Sequence, residues 1–497
     1  MDTSASTSVM ASQTPPSTTD SSAPTQVLFS NDHTTISFDP SVDSDGNPSL
    51  NQGFIYIETS DEPQDINITV GPDNTLTAYV NGTPHKLPFT ATGEQQYLSI
   101  FAGAGNDRIR IDPRVEANVL IHAGDGNDVI FVGGGQTSVF GGPGNDYIMM
   151  GSGAGVAHGE DGDDVLLAGT GHVSLSGGKG DDQLYAMYPN NPLRQVFLNG
   201  DQGNDRLYAG TGKNVLNGGP GDDTLVGHRH TAFYTGAGKD TVKSYSATDK
   251  IYAKTSDTIC NTSNAAVTHI QYNDSGRHGL KIEGSEDFIE QVENYLEQLR
   301  GSPTGQVVLA KMDSLAQQIG APVTIKMSEY VGRNDYAFRN THTDNITVDD
   351  LEVLNTSPKF GYIKEGKAGS VATHALLHFH TDAFNKDIIS PPVIALFHEL
   401  IHAFNGGTGT FIPGTQAVVG EDGKPVIIDG EPMEVENSEY QAIGLETQNP
   451  PFDFDNNPLT PPTSTNPAPF TENAVRAEMG VPLRDRYQRE EPPQKTP

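Results

Sequence analysis

Strict alternation of apolar and polar residues dominates the chain between about residues 26 and 100, without helical spacing. Residues 65–70 alternate in this way, and so does the run that leads into Asn81-Gly82. An Asn-Gly pair between alternating runs favours the tight turn of a β-hairpin. The pattern therefore predicts a β-rich cap over residues 26–100.

Residues 102 to 243 contain a glycine-rich hexapeptide in eight copies. Each copy ends in aspartate, and the second residue after it is Ile, Leu or Val. Glycines permit the positive φ of tight turns, the apolar residue points inward, and carboxylate oxygens suit calcium. The repeat resembles the RTX nonapeptide, which implies a parallel β-roll over 101–245 that binds Ca²⁺. The aspartates expected to bind calcium are Asp107, Asp128, Asp146, Asp164, Asp182, Asp205, Asp223 and Asp240.

The spacing of the copies predicts where the calcium lies. Most copies start 18 residues after the previous one, so two nonapeptides separate successive aspartates. The intervening nonapeptides keep their glycines but carry Val173 or Asn214 in place of aspartate. Successive turns of a roll lie on opposite edges, so we expect calcium along one edge and a largely ion-free opposite edge. A glycine-rich linker would not keep eight copies in register.

The apolar spacing changes to that of helices beyond the repeats. Serine and glycine at the ends of two apolar-periodic runs are typical of helix caps. Helices packed on a small sheet give an α+β domain. The predicted elements are a connecting β segment at 246–280, helices from Ser285 to Gly301 and from Thr304 to Gly320, strands at 323–327 and 371–380, and a domain at 281–490.

A further apolar helix is predicted at residues 394–404, after Pro391-Pro392 and before a Gly406-Gly407 stop signal. Its flanking residues are apolar enough to be buried. A buried amphipathic helix that merely carries two histidines is the alternative to a functional one.

The chemistry of this helix lies in His398-Glu399-Leu-Ile-His402. Histidines four residues apart project from one helix face, one turn apart. Glu399 lies about 100° round the axis. Two neutral imidazoles, an open coordination position and a nearby carboxylate are what a zinc hydrolase needs. We therefore expect His398 and His402 as Zn²⁺ ligands and Glu399 as the general base.

A catalytic zinc site needs a third protein ligand. The metzincin extension is absent, because Asn405 and Thr408 stand where its glycine and histidine would be. Glu439 is the best downstream candidate, in the first turn of a helix capped by Ser438 or Asn437. Glu436 is the alternative. The three histidines of the preceding strand are expected in a substrate cleft or at the surface, not as ligands: His374, His378 and His380.

The C-terminal part resembles the NleD-like type III effector zinc metallopeptidases. The resemblance rests on residues 288–309, the His398 to Ala403 segment, residues 439–445, and residues 472–480 running on to Arg484 and Tyr487. It implies a zincin-like fold, zinc endopeptidase activity and delivery into host cells, where some members cleave MAP kinases. An oxyanion donor from the histidine-rich strand or from Tyr487 is a further hypothesis.

Composition and net charge exclude some classes of binding partner. The net charge of −34 argues against nucleic acid and anionic membranes, and no apolar run is long enough to span a bilayer. A single cysteine, Cys260, excludes intramolecular disulfides. Residues 1–25 are rich in Ser, Thr and Pro and are expected to be a disordered, type III-like export segment. No Sec signal peptide is expected, and residues 491–497 are expected to be a disordered tail.

These observations favour a secreted zinc endopeptidase that acts on a host protein, with the β-roll as a folding or targeting module. The alternative is a secreted calcium-binding structural or adhesive protein whose zinc site is degenerate. Metal analysis separates the two, because only the enzyme would bind zinc through His398.

Overall fold

The structure is a computed structural model that describes residues 25–42, 48–93, 95–187, 191–328, 330–331, 334–345, 356–381, 390–420, 423–428, 430–455, 458–487 and 494–495. These residues fall into two compact units, which divide between His269 and Ile270. Most of the predicted export segment at 1–25 lies outside the described residues.

The first unit consists of two long β-sheets of 13 and 12 strands. Odd-numbered strands from β7 onward build one sheet and even-numbered strands from β8 onward build the other. The strands are β1 Gln26–Ser30, β2 Thr34–Val42, β3 Pro48–Thr59, β4 Asp65–Val70, β5 Thr75–Val80, β6 Thr83–Thr90, β7 Gln96–Phe101, β8 Arg108–Ile111, β9 Asn118–His122, β10 Val129–Phe131, β11 Thr137–Phe140, β12 Tyr147–Met149, β13 Gly155–Asp161, β14 Val165–Leu167, β15 Val173–Lys179, β16 Gln183–Tyr185, β17 Gln195–Gln202, β18 Arg206–Tyr208, β19 Lys213–Asn217, β20 Thr224–Val226, β21 Thr231–Tyr234, β22 Thr241–Ser244, β23 Lys250–Ala253, β24 Thr258–Asn261 and β25 Ala266–His269.

The apolar residue after each repeat aspartate builds the core between the sheets. Ile130 pairs in register with Ile109 on one side and Ile148 on the other, and this parallel ladder continues to Val242. Every member of the row is fully buried. Stacking each turn on the next buries a face that a single turn would leave in water. The predicted parallel roll is thus confirmed as long parallel sheets.

The strands before the repeats extend both sheets. β1, β2 and β3 run antiparallel and join β7, while β4, β5 and β6 run antiparallel and join β8. The predicted hairpin at Asn81-Gly82 joins β5 to β6, and both residues have positive φ. After the repeats, β23, β24 and β25 lie in the predicted connector and continue the same two sheets.

The second unit is a mixed α/β structure. Its four-stranded sheet has the order β26-β27-β30-β29, parallel except for the edge strand β29. The elements are β26 Leu280–Glu283, α1 Glu286–Arg300, α2 Pro303–Ile319, β27 Val323–Met327, β28 Tyr330–Val331, β29 Asp335–Ala337, β30 Leu376–Phe379, α3 Pro392–Thr408, β31 Thr415–Ala417, β32 Ile427–Ile428, β33 Glu431–Pro432, β34 Glu434–Glu436, α4 Asn437–Ile443, α5 Glu472–Met479 and β35 Gln494–Lys495, with one-turn 3-10 helices at Thr343–Asn345 and Pro358–Phe360.

Helix α3 lies at the centre of the second unit. It packs against α1, α2, α4 and α5, and most of its residues are buried. The predicted start of α1 at Ser285 and the predicted end of α2 at Gly320 are confirmed, because Ser285 accepts the Phe288 N–H and Gly320 closes α2 with φ 85°. Helix α2 begins at Pro303, one residue before the predicted Thr304, and Ser302 is its N-cap. Within the described ranges, no helix combines the length and apolar character needed to cross a membrane.

Three local predictions are wrong. α3 continues through Gly406 and Gly407 to Thr408, and Gly409 is its C-cap. Gly406 and Gly407 therefore do not stop the helix; they leave room for the Tyr336 hydroxyl and for Leu315, which a side chain at either position would overlap. The predicted strand at 371–380 is confined to β30. Part of the predicted disordered tail forms β35, which pairs with β28.

Candidate functional site

Helix α3 brings His398 and His402 together one turn apart. Their Nε2 atoms lie 3.1 Å from each other. The side chain of His398 is 12% exposed and that of His402 is 2% exposed, so the pair is largely shielded from water. The helical spacing of the motif thus produces the shared imidazole face expected from the sequence.

Helix α4 brings the Glu439 carboxylate to the same point. Glu439 Oε2 lies 3.3 Å from His398 Nε2, and Glu439 Oε1 lies 3.3 Å from His402 Nε2. The three potential ligand atoms all lie within 4.8 Å of one another. Two imidazole nitrogens and one carboxylate oxygen form a donor set typical of catalytic zinc, and their convergence fits one bound cation.

The electrostatics of the cluster also favour a cation. Burial alone would lower the pKa of His398, but the Glu439 and Glu472 carboxylates raise it to about 10. Burial would raise the pKa of Glu439, yet the adjacent His402 and His398 hold it far below its usual range. The carboxylates that flank His398 therefore favour a positive charge at this point of the site. A divalent metal would take over that charge.

Glu399 occupies the adjoining face of α3. It directly follows His398, and it is 6% exposed. The angular offset of about 100° between successive helical residues keeps its carboxylate off the ligand face but next to it. This placement suits a proton carrier beside a metal rather than a ligand.

Glu472 is a site residue for which the sequence analysis gave no role. It is the first residue of α5, after Thr471, whose hydroxyl caps the helix. Its Oε2 accepts a hydrogen bond from His398 Nδ1 at 2.9 Å and one from Arg484 at 3.0 Å. Its Oε1 accepts a bond from Arg476. Glu472 lies in the segment at 472–480 that contributes to the family resemblance. That resemblance is the only feature of the sequence that points to Glu472 as a site residue.

A buried carboxamide network joins α3 to α4. Asn405 and Asn466 exchange two side-chain hydrogen bonds of 2.9 Å each. Gln441 Nε2 donates to Asn466 Oδ1 at 2.8 Å. Gln441 lies two residues after Glu439, so this network fixes the helix that carries the third candidate ligand. Asn405 is the residue that replaces the metzincin glycine.

The alternative ligand Glu436 is placed differently. Its Oε2 accepts bonds from Tyr362 at 3.2 Å and from Ser438 at 3.0 Å. Glu436 is also the N-cap residue of α4, although its side chain makes no capping hydrogen bond to the helix. The predicted cap by Ser438 or Asn437 is therefore wrong. Ser438 instead donates to Glu436. Glu436 does not belong to the convergent group of ligand atoms.

The histidine-rich strand contributes no residue to the convergent group. His374 pairs with Asp344 at 2.8 Å, and His378 pairs with Asp335 at 2.9 Å. His380 is 3% exposed, and burial lowers its pKa to about 4. Tyr487, the other hypothetical oxyanion donor, packs on Tyr440 with ring centroids 5.9 Å apart.

The repeat aspartates form a single row along one edge of the first unit. Each aspartate N–H donates to the Oδ1 atom of the aspartate one repeat later, for example from Asp107 to Asp128 at 2.7 Å. We call this row the aspartate ladder. Its members are Asp107, Asp128, Asp146, Asp164, Asp182, Asp205, Asp223 and Asp240.

The second carboxylate oxygen, Oδ2, distinguishes seven members of the ladder from the eighth, Asp240. From Asp107 to Asp223, each Oδ2 is buried and has no hydrogen-bond partner among the described residues. Burial and neighbouring carboxylates raise the pKa of Asp182 and of Asp223 to about 9. Rows of orphaned, buried carboxylate oxygens fit hard cations such as calcium. Asp240 differs, because its Oδ2 contacts Lys254.

Two parts of the chain match models of known protein families. Residues 276–487 match the Peptidase_M91 family, described as an effector protein. Four stretches at 116–139, 122–157, 158–187 and 197–229 match the RTX calcium-binding nonapeptide repeat. The C-terminal part of the chain thus matches the model of an M91 peptidase effector domain. RTX calcium-binding repeats precede it. The search of curated proteins and the search of solved structures gave no significant match.

The M91 match encloses the whole candidate metal site, from α3 to α5. A peptidase domain implies a protein substrate. Effector proteins and RTX repeats are both typical of secreted proteins. The RTX match covers the ladder from Asp128 to Asp223, while Asp107 and Asp240 lie just outside it.

Proposed function

We propose that the chain is a zinc-dependent endopeptidase, a secreted bacterial effector that acts on a host protein. The observation that carries the proposal is the convergence of His398, His402 and Glu439 within the M91 domain. We further propose a zincin-like fold for this domain. A calcium-binding scaffold with a degenerate zinc site would have no reason to keep three ligand atoms within 4.8 Å of one another.

The donor set favours zinc over harder or softer cations. Calcium and magnesium prefer oxygen ligands only, and copper(I) prefers sulfur. Three protein ligands of this kind would leave a coordination position of zinc free for water, as catalytic sites require. Bound zinc would polarise the scissile carbonyl and lower the pKa of water.

The residues of the chain divide the remaining work. Glu399 accepts a proton from the attacking water and returns it to the amine that leaves when the peptide bond breaks. Its burial excludes competing solvent and strengthens its interactions. Proton transfer of this kind contributes a factor of about 10² to 10⁴ to the rate.

Glu472 holds His398 in the productive tautomer. Its carboxylate accepts the Nδ1–H of the imidazole, so Nε2, which lies beside Glu439, would be the nitrogen that binds a cation. Arg476 and Arg484 hold the carboxylate in turn. Such carboxylate–histidine pairs orient metal ligands and raise their basicity.

The aspartate ladder is proposed to hold calcium through its orphaned Oδ2 atoms. Cytosolic free calcium is too low to fill weak sites, so the roll would take up calcium outside the producing cell. Calcium binding is then coupled to completion of the fold. On this account the roll is a folding or targeting module, and the M91 domain performs the chemistry.

Mapping of new protein N-termini in host-cell lysate tests this function. The wild-type chain with zinc should generate a defined set of cleaved host proteins. The Glu399→Gln variant should generate none while it still binds zinc, because glutamine cannot carry the proton. Cleavage by the variant at the wild-type sites would refute the proposed role of Glu399. Absence of cleavage by the zinc-loaded wild type would refute a host substrate in that lysate.

A further inference from the structure

The aspartate ladder ends in a turn that lacks the glycine motif. Strand β24 pairs with β22 in parallel register, which places Asp257 opposite Asp240. The Asp240 N–H donates to Asp257 Oδ1 at 3.3 Å, the same bond that joins earlier members of the ladder. Asp257 is therefore a ninth position in the row, supplied by a sequence that the repeat pattern does not reveal.

A lysine side chain fills the cation position at this end. Lys254 Nζ lies 2.8 Å from Asp240 Oδ2 and 3.3 Å from Asp257 Oδ1, and both carboxylates are fully buried. It also donates to the carbonyl oxygen of Gly236 and lies 3.5 Å from Thr235 Oγ1. Two carboxylates, a carbonyl and a hydroxyl are the kind of oxygen set that calcium takes.

We propose that Lys254 is a tethered cation that replaces calcium in the last turn and closes the ladder. The proposal rests on the proposed calcium ladder and goes beyond it, because it limits calcium to the seven positions from Asp107 to Asp223. Each of those seven carboxylates keeps an orphaned Oδ2 atom, whereas that of Asp240 is bound by the ammonium group.

The last turn differs from the others in a second respect. Asp257 Oδ2 accepts hydrogen bonds from the backbone N–H of Lys254 at 2.8 Å and from the Thr235 hydroxyl at 2.7 Å, so this oxygen already has two partners within the chain. Thr235 stands where the earlier repeats have glycine or alanine. The turn is thus satisfied without any added ion and should stay folded when calcium is removed.

The first end of the ladder is closed in a similar way. The Gln64 N–H donates to Asp107 Oδ1 at 2.7 Å, so Gln64 takes the position that would precede Asp107. Its side-chain amide donates to the carbonyl oxygens of Ser60 and Glu62. At the start of the ladder the neutral side-chain amide of Gln64 donates to the backbone carbonyl oxygens. At the end of the ladder the Lys254 ammonium group does the same.

The opposite edge of the roll shows the same replacement. The buried guanidinium of Arg194 donates to the carbonyl oxygens of Gly171, at 2.8 Å, and Ala186. The Asn214 side chain donates to the Gly210 carbonyl oxygen at 3.0 Å. On the edge opposite the aspartate ladder, where the sequence predicts few ions, side-chain donors thus bind the backbone carbonyl oxygens.

Calcium stoichiometry of the full chain tests the proposal. Calcium bound at saturation is counted by atomic emission and by titration calorimetry for the wild type, Lys254→Met and Lys179→Met. Methionine keeps an unbranched side chain close to lysine in length, one atom shorter, and removes its charge. Lys179 is a matched control, because it pairs with Asp161 at 2.9 Å on the exposed surface of the same roll. We expect Lys254→Met to bind one more calcium ion than the wild type and Lys179→Met to bind the same number.

A second pair of variants keeps the test independent of how Lys254→Met folds. Asp240→Asn should leave the calcium count of the wild type unchanged, whereas Asp182→Asn should lower it. A lower count in Asp240→Asn, or an unchanged count in folded Lys254→Met, would overturn the lysine proposal alone. A wild type that binds no calcium would overturn the calcium ladder itself and the lysine proposal with it.

Discussion

His398 Nδ1 lies 2.9 Å from Glu472 Oε2, across 74 residues of sequence. This bond joins the first helix of the candidate metal site to the start of α5. It leaves the other imidazole nitrogen facing His402 and Glu439. Glu472 is 1% exposed and also bonds two arginines, so its position is determined by packing rather than by solvent.

Replacement of Glu472 by glutamine should weaken zinc binding by about 10- to 100-fold, because His398 loses its orienting carboxylate. It should also lower the melting temperature, since two buried arginines lose their counter-charge. Competition with a zinc chelator measures the affinity. The control is Glu478→Gln on the same helix, whose carboxylate accepts a hydrogen bond from the Thr304 N–H of α2 at 2.8 Å. Wild-type affinity in Glu472→Gln would refute the orienting role.

The two candidate third ligands give opposite predictions. Glu439→Gln should abolish stoichiometric zinc binding, because one of the three convergent donors is weakened. Glu436→Gln should retain zinc, since that side chain bonds Tyr362 and Ser438 instead. Zinc content after gel filtration decides between them. Loss of zinc in Glu436→Gln alone would reverse the assignment.

The spacing of the two histidines predicts the centre of the site, because local helical geometry alone brings them together. The Glu439 prediction uses the position of a helix start as well. The bond to Glu472 and the Asn405–Asn466 network depend on tertiary packing between distant segments, so no local pattern predicts them. Repeats likewise predict the roll, but its last strands lack the motif. Lys254 and Asp257 could be recognised only after the register of β22 and β24 was known.

The stability of the calcium-free roll should fall as the pH rises. Burial raises the pKa of Asp146 to about 8 and that of Asp223 to about 9, above the ordinary value of 3.8. An aspartate whose pKa is raised by folding contributes its full stabilisation at a pH below its ordinary pKa. That contribution is lost as the pH rises through the pKa in the folded state, about 8 for Asp146 and about 9 for Asp223. Thermal unfolding by circular dichroism in chelator, from about pH 6 to about pH 9, measures the effect. Saturating calcium should abolish the fall. A melting temperature that rises over this range in chelator would contradict the account.

The histidine of β30, His378, should be dispensable for metal binding. His378 bonds Asp335 and lies outside the convergent group, so His378→Gln should keep the zinc content of the wild type. His402→Gln serves as the positive control and should lose zinc. If both variants lost zinc while remaining folded, β30 would have to contribute a ligand.

X-ray anomalous scattering at the zinc edge, from crystals of the zinc-loaded chain, tests the central claim most directly. The account predicts a single strong peak in the second unit, within bonding distance of His398 Nε2, His402 Nε2 and the Glu439 carboxylate. A peak coordinated by other residues, or no peak at this position, would contradict the assignment of the metal site.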